Sequence, residues 1–163
     1  MSISTRLKHY QRQVSELLWQ TGRTVRGGKA NVLLITYQNR ISDSQIFPFY
    51  FFRTSLRDEL GLDFTEVSLT AYLESPARWR GALDLVFLQP WWDTPQQQLH
   101  QLLDEIRGGN PGAKIVFLDS FAPLDLRLAQ FVGSGVDVYV KKQLFRDRCL
   151  YGKPTRGDTN LVD

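Results

Sequence analysis

Short apolar runs without polar alternation recur along this chain, and each closes on polar or charged groups. They are residues 31–37 before Gln38-Asn39-Arg40, 84–88 before Gln89-Pro90-Trp91-Trp92-Asp93, 114–118 before Asp119-Ser120, and 136–140 before Lys141-Lys142. Runs this short, rich in Val, Ile, Leu and Phe, suit parallel strands buried on both faces. In an open α/β sheet, ligands occupy the crevice at the carboxyl ends of the strands. The residues closing the runs therefore mark a candidate site, without naming its chemistry.

The segments between the runs read as helices, with one further strand. A helix is expected over 47–60, with Pro48 in its first turn and Gly61 as its stop. Residues 64–69 read as the remaining strand, and a short helix is expected over 71–80. Thr94 and Pro95 open a helix that runs to Arg107 and closes on Gly108-Gly109-Asn110. Another helix, over 124–132, stops at Gly133. Strands alternating with helices predict right-handed crossovers and three layers. The expected fold is a Rossmann-like or flavodoxin-like α/β domain over 31–145, with a five-stranded parallel sheet.

Both flanks differ from this domain. Ile3, Leu7, Tyr10, Val14, Leu17 and Leu18 share one helical face, while Arg6, Lys8, Arg12 and Gln13 lie off it. An N-terminal amphipathic helix is expected, docking on the domain or on a partner, with a basic linker up to residue 30. Residues 146–163 read as a tail, and as the start of a region in which the chain continues.

Length and composition narrow the function classes. A chain of 163 residues suffices for one well-buried domain but not for two full ones. The net charge of +3 is mild, yet Arg6, Lys8, Arg12, Arg23, Arg26 and Lys29 face only Glu16 in the first thirty residues. Such an arm either contacts phosphate or anionic lipid, or is a solvated helix and linker. The lone Cys149 excludes an internal disulfide and a multi-cysteine metal site. His9 and His100 lie far apart, and their spacing suggests no further ligands. No apolar stretch reaches the roughly 18 residues of a spanning helix. The expectation is a cytoplasmic protein, with peripheral contact at the inner membrane face left open.

The strand-end loops carry the candidate chemistry. The loop 38–45 has no glycine, so neither a dinucleotide fingerprint nor a P-loop is present, and no cofactor is expected in this chain. Ser42, Asp43 and Ser44 either cap the next helix or hold a sugar hydroxyl or an anion. Trp91 and Trp92 either stack on a ligand ring or pack structurally. Asp93 can hydrogen-bond hydroxyls or act as a base, although no second carboxylate at fixed spacing accompanies it. Asp119 and Ser120 can equally cap a turn. The aromatic-rich segment 46–52 reads as core.

Residues 84–145 resemble a response-regulator receiver. Pro111-Gly112-Ala113-Lys114-Ile115-Val116 leads into a strand ending near Ser120, and Gly133-Ser134-Gly135-Val136-Asp137-Val138-Tyr139-Val140-Lys141-Lys142 is similar to a receiver's last strand with its lysine. Gln89 stands where a receiver carries its phosphoacceptor aspartate, and Gln38 and Asn39 replace the acidic pair. Without those carboxylates Mg²⁺ lacks its oxygen ligands, so aspartyl phosphorylation is not expected.

A second resemblance covers more of the chain. Asn39-Arg40-Ile41-Ser42-Asp43-Ser44-Gln45-Ile46-Phe47-Pro48-Phe49, with Tyr139-Val140-Lys141-Lys142-Gln143-Leu144-Phe145-Arg146-Asp147-Arg148 and Gly157-Asp158-Thr159-Asn160-Leu161, resembles the N-terminal part of bacterial glycosyltransferase-like proteins of the two-domain GT-B type. The resemblance implies the acceptor-binding first domain of an enzyme whose second domain binds a nucleotide-sugar. Donor-binding motifs have no counterpart here, so this chain alone is expected to be inactive. Joined to a donor domain, it would transfer sugar to a surface or lipid-linked acceptor. The implied acceptor site is Asn39, Arg40, Ser42, Gln45, Trp91, Asp119 and Lys141, with Asp93 as the catalytic candidate. Arg146 and Arg148 would meet phosphate charge; no metal and no specific nucleic acid are implied. The alternative is a phosphorylation-incompetent receiver-like module that binds a protein partner.

Overall fold

The computed structural model describes residues 30–38, 43–121, 126–147, 149 and 151. The expected N-terminal helix, its basic linker, Asn39, Arg40, Ser42, Arg148 and the tail from 152 onward lie outside the described residues.

Five parallel strands form one sheet: β1 (Ala30–Thr36), β2 (Leu62–Ser68), β3 (Leu85–Gln89), β4 (Lys114–Asp119) and β5 (Val138–Lys141). Their order is β2-β1-β3-β4-β5, the flavodoxin-like arrangement. The interior strands β1, β3 and β4 are the unalternating apolar runs. Leu33, Leu34, Ile35, Val86, Leu88, Ile115 and Phe117 are wholly buried, because helices cover both faces there.

The helices are α1 (Asp43–Phe51), α2 (Arg53–Leu60), α3 (Leu69–Glu74), α4 (Gln96–Gly109) and α5 (Arg127–Val132). One face of the sheet carries α1 and α2, whose Ile46, Phe49, Tyr50 and Leu56 pack with Val32, Leu34, Phe64 and Leu118. The other carries α3, the 3₁₀ turn Pro76–Trp79, α4 and α5, packed on Leu33, Ile35, Val86, Leu88, Ile115 and Phe117. Connections leave β1 toward β2 and then reverse toward β3. The sheet thus has a topological switch point between the carboxyl ends of β1 and β3.

Several expected boundaries move. The helix expected over 47–60 is two helices, and α1 starts at Asp43, so Gln45 belongs to a helix rather than a loop. Pro48 therefore lies inside α1 rather than in its first turn. The chain departs from helical geometry at Phe52 and resumes in α2, with the Leu56 amide donating to the Phe52 carbonyl at 2.8 Å. Gly61 does stop α2, in a left-handed conformation at φ 67°, and its amide donates to the Arg57 carbonyl at 3.0 Å. The helix expected over 71–80 is α3 followed by the 3₁₀ turn; Ser68 caps α3 by accepting from the Ala71 amide at 3.1 Å.

The segment 46–52 is only partly core. Ile46 is buried and Phe49 and Tyr50 are half-buried, but Phe47, Phe51 and Phe52 are exposed. A helix one layer deep can turn only one stripe inward, and aromatic density carries no information about its phase.

Tyr72 of α3 is almost wholly buried beside Trp79. Burial first, and then the Glu105 carboxylate, push its phenol up to about 12. In the unfolded chain the phenol ionises near pH 10, so the unfolded state loses its proton first. Stability contributed by neutral Tyr72 is therefore complete below about pH 10 and is lost as the pH rises toward 12, by roughly 2–3 kcal/mol. Urea unfolding across this window should show the decline in the wild type and a flatter profile in Tyr72→Phe. An equal slope in both proteins would assign the alkaline loss to other groups.

Candidate functional site

The carboxyl ends of four strands converge on the switch point, and register sets which residues meet there. Thr36 pairs with Gln89 across β1 and β3, and Asp119 pairs with Lys141 across β4 and β5. All four are buried. The side-chain alternation of a strand sends them to different faces. Thr36 and Gln89 follow the α1 side, while Asp119 and Lys141 follow Phe117 and Tyr139 to the α4–α5 side.

On the α4–α5 side lies a closed ionic cluster. Lys141 Nζ donates to Asp119 Oδ2 at 2.8 Å and to the Phe121 carbonyl at 2.8 Å. The Tyr139 hydroxyl donates to the same carboxylate oxygen, and the Phe121 amide donates to Asp119 Oδ1 at 2.8 Å. The two charged side chains are only 2% and 1% exposed. A buried ion pair is tolerable only when further hydrogen bonds saturate both partners, and here they do so for both carboxylate oxygens. The pair consequently anchors the backbone at Phe121.

On the α1 side, Gln45 joins two strands. Its amide nitrogen donates to the Asp119 carbonyl at 3.3 Å, and its oxygen accepts from Gln89 Nε2 at 2.8 Å. The start of α1 thereby seats across β3 and β4. Next to it, Thr36 donates to the buried Glu66 at 2.7 Å, and the Tyr50 hydroxyl donates to the other Glu66 oxygen. Lys142 reaches Ser44 Oγ at 2.7 Å, tying the end of β5 to the first turn of α1.

Above these clusters runs a row of four aromatic rings. Tyr37, just past β1, stacks on Trp91, just past β3, with centroids 5.1 Å apart. Trp92 stacks on Phe121, just past β4, at 5.5 Å and 19°. Trp91 and Trp92 connect the two pairs at 6.5 Å. The row therefore crosses the switch point from β1 to β4. Tyr37 is 41% and Trp92 49% exposed, whereas Trp91 is half-buried. A turn closed by the Thr94 amide donating to the Trp91 carbonyl holds Trp92 and Asp93 outward, and Asp93 is exposed at its tip.

The structure thus ties Gln45 to the Asp119 backbone on the α1 side, pairs the Asp119 and Lys141 side chains on the opposite side, and places Trp91 and Asp93 on the rim. Arg146 is exposed beyond β5. Tyr37, Phe121 and Tyr139 belong to the same assembly but were not singled out by sequence. Tyr37 and Tyr139 sit within apolar runs and read as strand residues, and Phe121 follows a turn with no motif around it. Among the described residues, no three or more His, Cys, Asp or Glu side chains gather where they would hold a metal ion. No described helix is long and apolar enough to cross a membrane. Comparison with protein-family models, curated proteins and solved structures finds no match to this chain.

Proposed function

We propose that this domain binds a sugar-bearing acceptor on the aromatic row at the carboxyl edge of its sheet. In this reading it is the acceptor side of a glycosyltransferase-like protein whose nucleotide-sugar is bound by another domain. The aromatic row at the switch point carries the reading. A pyranose turns its C–H groups toward an indole face, whose negative quadrupole attracts them, while its hydroxyls require acceptors at the rim. Trp92 supplies exposed indole surface, and Asp93, the next residue, supplies a carboxylate in solvent reach. Asp93 is the residue to accept a proton or a hydrogen bond from the acceptor hydroxyl. Asp119 and Lys141 support the row from below through Phe121.

Asp93→Asn keeps the shape of the rim and removes its charge. Acceptor affinity should fall by about 1–3 kcal/mol, or roughly 5- to 150-fold, with folding unchanged. Trp92→Ala should abolish the fluorescence response. The measurement is a tryptophan-fluorescence titration with a panel of oligosaccharide fragments of bacterial surface polysaccharides. Equal affinities in wild type and both variants would remove the row from the site.

A second reading, a receiver-like module binding a protein partner, draws on the strand order and on Lys141 at the end of β5. Gln89 ends β3 in place of a carboxylate, so that module would work without phosphorylation. It predicts no saccharide response from any member of the panel.

A further inference from the structure

The solvent side of α1 is apolar, where a helix laid on a sheet ordinarily turns polar groups outward. The helix α4 keeps the ordinary pattern, exposing Gln97, His100, Gln101 and Asp104 over its buried leucines. In α1 the exposed positions are Ser44, Phe47, Pro48 and Phe51, and the exposed Phe52 follows them. Phe47, Phe51 and Phe52 are 46%, 69% and 53% exposed. The Phe51 ring lies beside both of the others, with centroids 5.7 Å from Phe47 and 4.9 Å from Phe52, so the three form one patch. No charged residue occurs from Ser44 through Phe52. Ser44, Phe47 and Phe51 lie at i, i+3 and i+7, on one stripe of the helix. Lys142 Nζ donates to Ser44 Oγ at 2.7 Å, which sets an exposed lysine at the N-terminal end of that stripe.

We propose that this face seats the protein on the surface of an anionic lipid bilayer, with Phe47, Phe51 and Phe52 entering the interfacial layer and Lys142 among the headgroups. Area and shape favour a bilayer over a protein partner. At about 150–250 Å² per aromatic side chain, the three residues expose roughly 250–400 Å². That is enough to mark an interaction site, yet no more than half of the ~800 Å² each partner contributes to a stable protein interface. The rings also stand on the outward, convex side of a helix. A fluid bilayer moulds itself to such a ridge, whereas a protein would need a matching groove. Charge is placed as an anionic surface requires. A lysine beside an apolar stripe keeps its ammonium in the phosphate layer while the stripe enters below it. The acids nearby are compensated. Arg53 and Arg57 of α2 pair with Asp63 and Asp58, and Asp43 is half-buried in the first turn of α1, where the helix dipole favours it. The inference stands apart from the acceptor reading, since it rests on the outer face of α1 and not on the aromatic row.

Flotation of the full chain with vesicles tests it, using phosphatidylcholine alone and a mixture of phosphatidylcholine with phosphatidylglycerol. The chain should float with the mixed vesicles and more weakly with phosphatidylcholine. Phe47→Ser combined with Phe51→Ser should lower the partition coefficient on the order of tenfold or more, the factor expected for burying about half of each side chain. Its urea midpoint should not fall, because both rings are exposed in the folded chain. Phe131→Ser, at an exposed phenylalanine of α5 across the sheet, should leave partitioning unchanged. Lys142→Gln should weaken flotation about fivefold on the mixed vesicles only. Absence of wild-type flotation on both vesicle types, or flotation that the double variant retains in full, would overturn the proposal. Equal flotation on the two vesicle types, unaffected by Lys142→Gln, would overturn its anionic preference. Sedimentation equilibrium without lipid supplies the last arm. A dimer that the double variant dissociates would overturn the proposal in favour of a second copy of this chain covering the patch.

Discussion

Replacing Lys141 by Met is expected to destabilise the domain by about 3–5 kcal/mol and to lower its Tm by roughly 6–20 °C. The reason is what the substitution leaves behind. Asp119 stays buried without its cation, and a lone carboxylate in a low-dielectric interior has lost the interaction that offset its desolvation. Two donors remain on it, the Phe121 amide and the Tyr139 hydroxyl, and they hold the loss toward the lower figure. Urea unfolding at neutral pH measures it. Joint replacement by Asp119→Asn and Lys141→Met should recover much of the loss, because no uncompensated charge is then buried. A single-variant loss below about 1 kcal/mol would show that the pair behaves as an exposed one.

The same pair of variants separates support from contact. Lys141 and Asp119 both bond the backbone of Phe121, and Phe121 carries Trp92. Under the proposed acceptor reading, if the pair acts only by holding the row, the joint variant retains saccharide binding in proportion to its recovered stability. If either side chain touches the acceptor, binding stays lost after stability returns.

The strands were legible because burial on both faces leaves an unmistakable pattern. The interior runs needed no alternation signal, and β4 begins at the expected Lys114. Edge strands were less sharp: β5 is shorter than the run 136–140 suggested and ends at Lys141. Helix starts were poorly legible. Pro48 suits a first turn by its missing amide, which drew the expected start of α1 four residues too late. That polar residues close the strands at their carboxyl ends was also legible, since each apolar run stops on them. How they combine was not. Asp119 and Lys141 are 22 positions apart, and their meeting depends on the β4–β5 register. Gln89 and Thr36 come from equivalent strand ends yet face the opposite side, because each strand's phase is set by its own core residues. The aromatic row illustrates the same limit: Trp91 and Trp92 announced themselves as a pair, but each stacks chiefly on a ring from another strand.

Phe117→Ala should carry the core's loss outward to this edge. Phe117 is fully buried in β4 and stacks on Tyr139 of β5, with centroids 5.3 Å apart and planes 10° from parallel. Truncation removes the transfer free energy of a phenyl ring and leaves a cavity between two strands that relax little, a loss of about 3–5 kcal/mol. Phe117→Leu retains most of the volume and should lose distinctly less. Tyr139 links this cavity to the ion pair, since its ring rests on Phe117 while its hydroxyl donates to Asp119. With the ring unsupported, that hydroxyl is held less firmly, so part of its contribution disappears with Phe117. Phe117→Ala and Tyr139→Phe should therefore be non-additive, with a coupling of roughly 0.5–3 kcal/mol in a double-mutant cycle read by urea unfolding. Strict additivity would mean that the ionic cluster keeps its geometry without the core beneath it. A positive coupling would place Phe117, Tyr139, Asp119 and Phe121 on one continuous support that ends at the exposed face of Trp92.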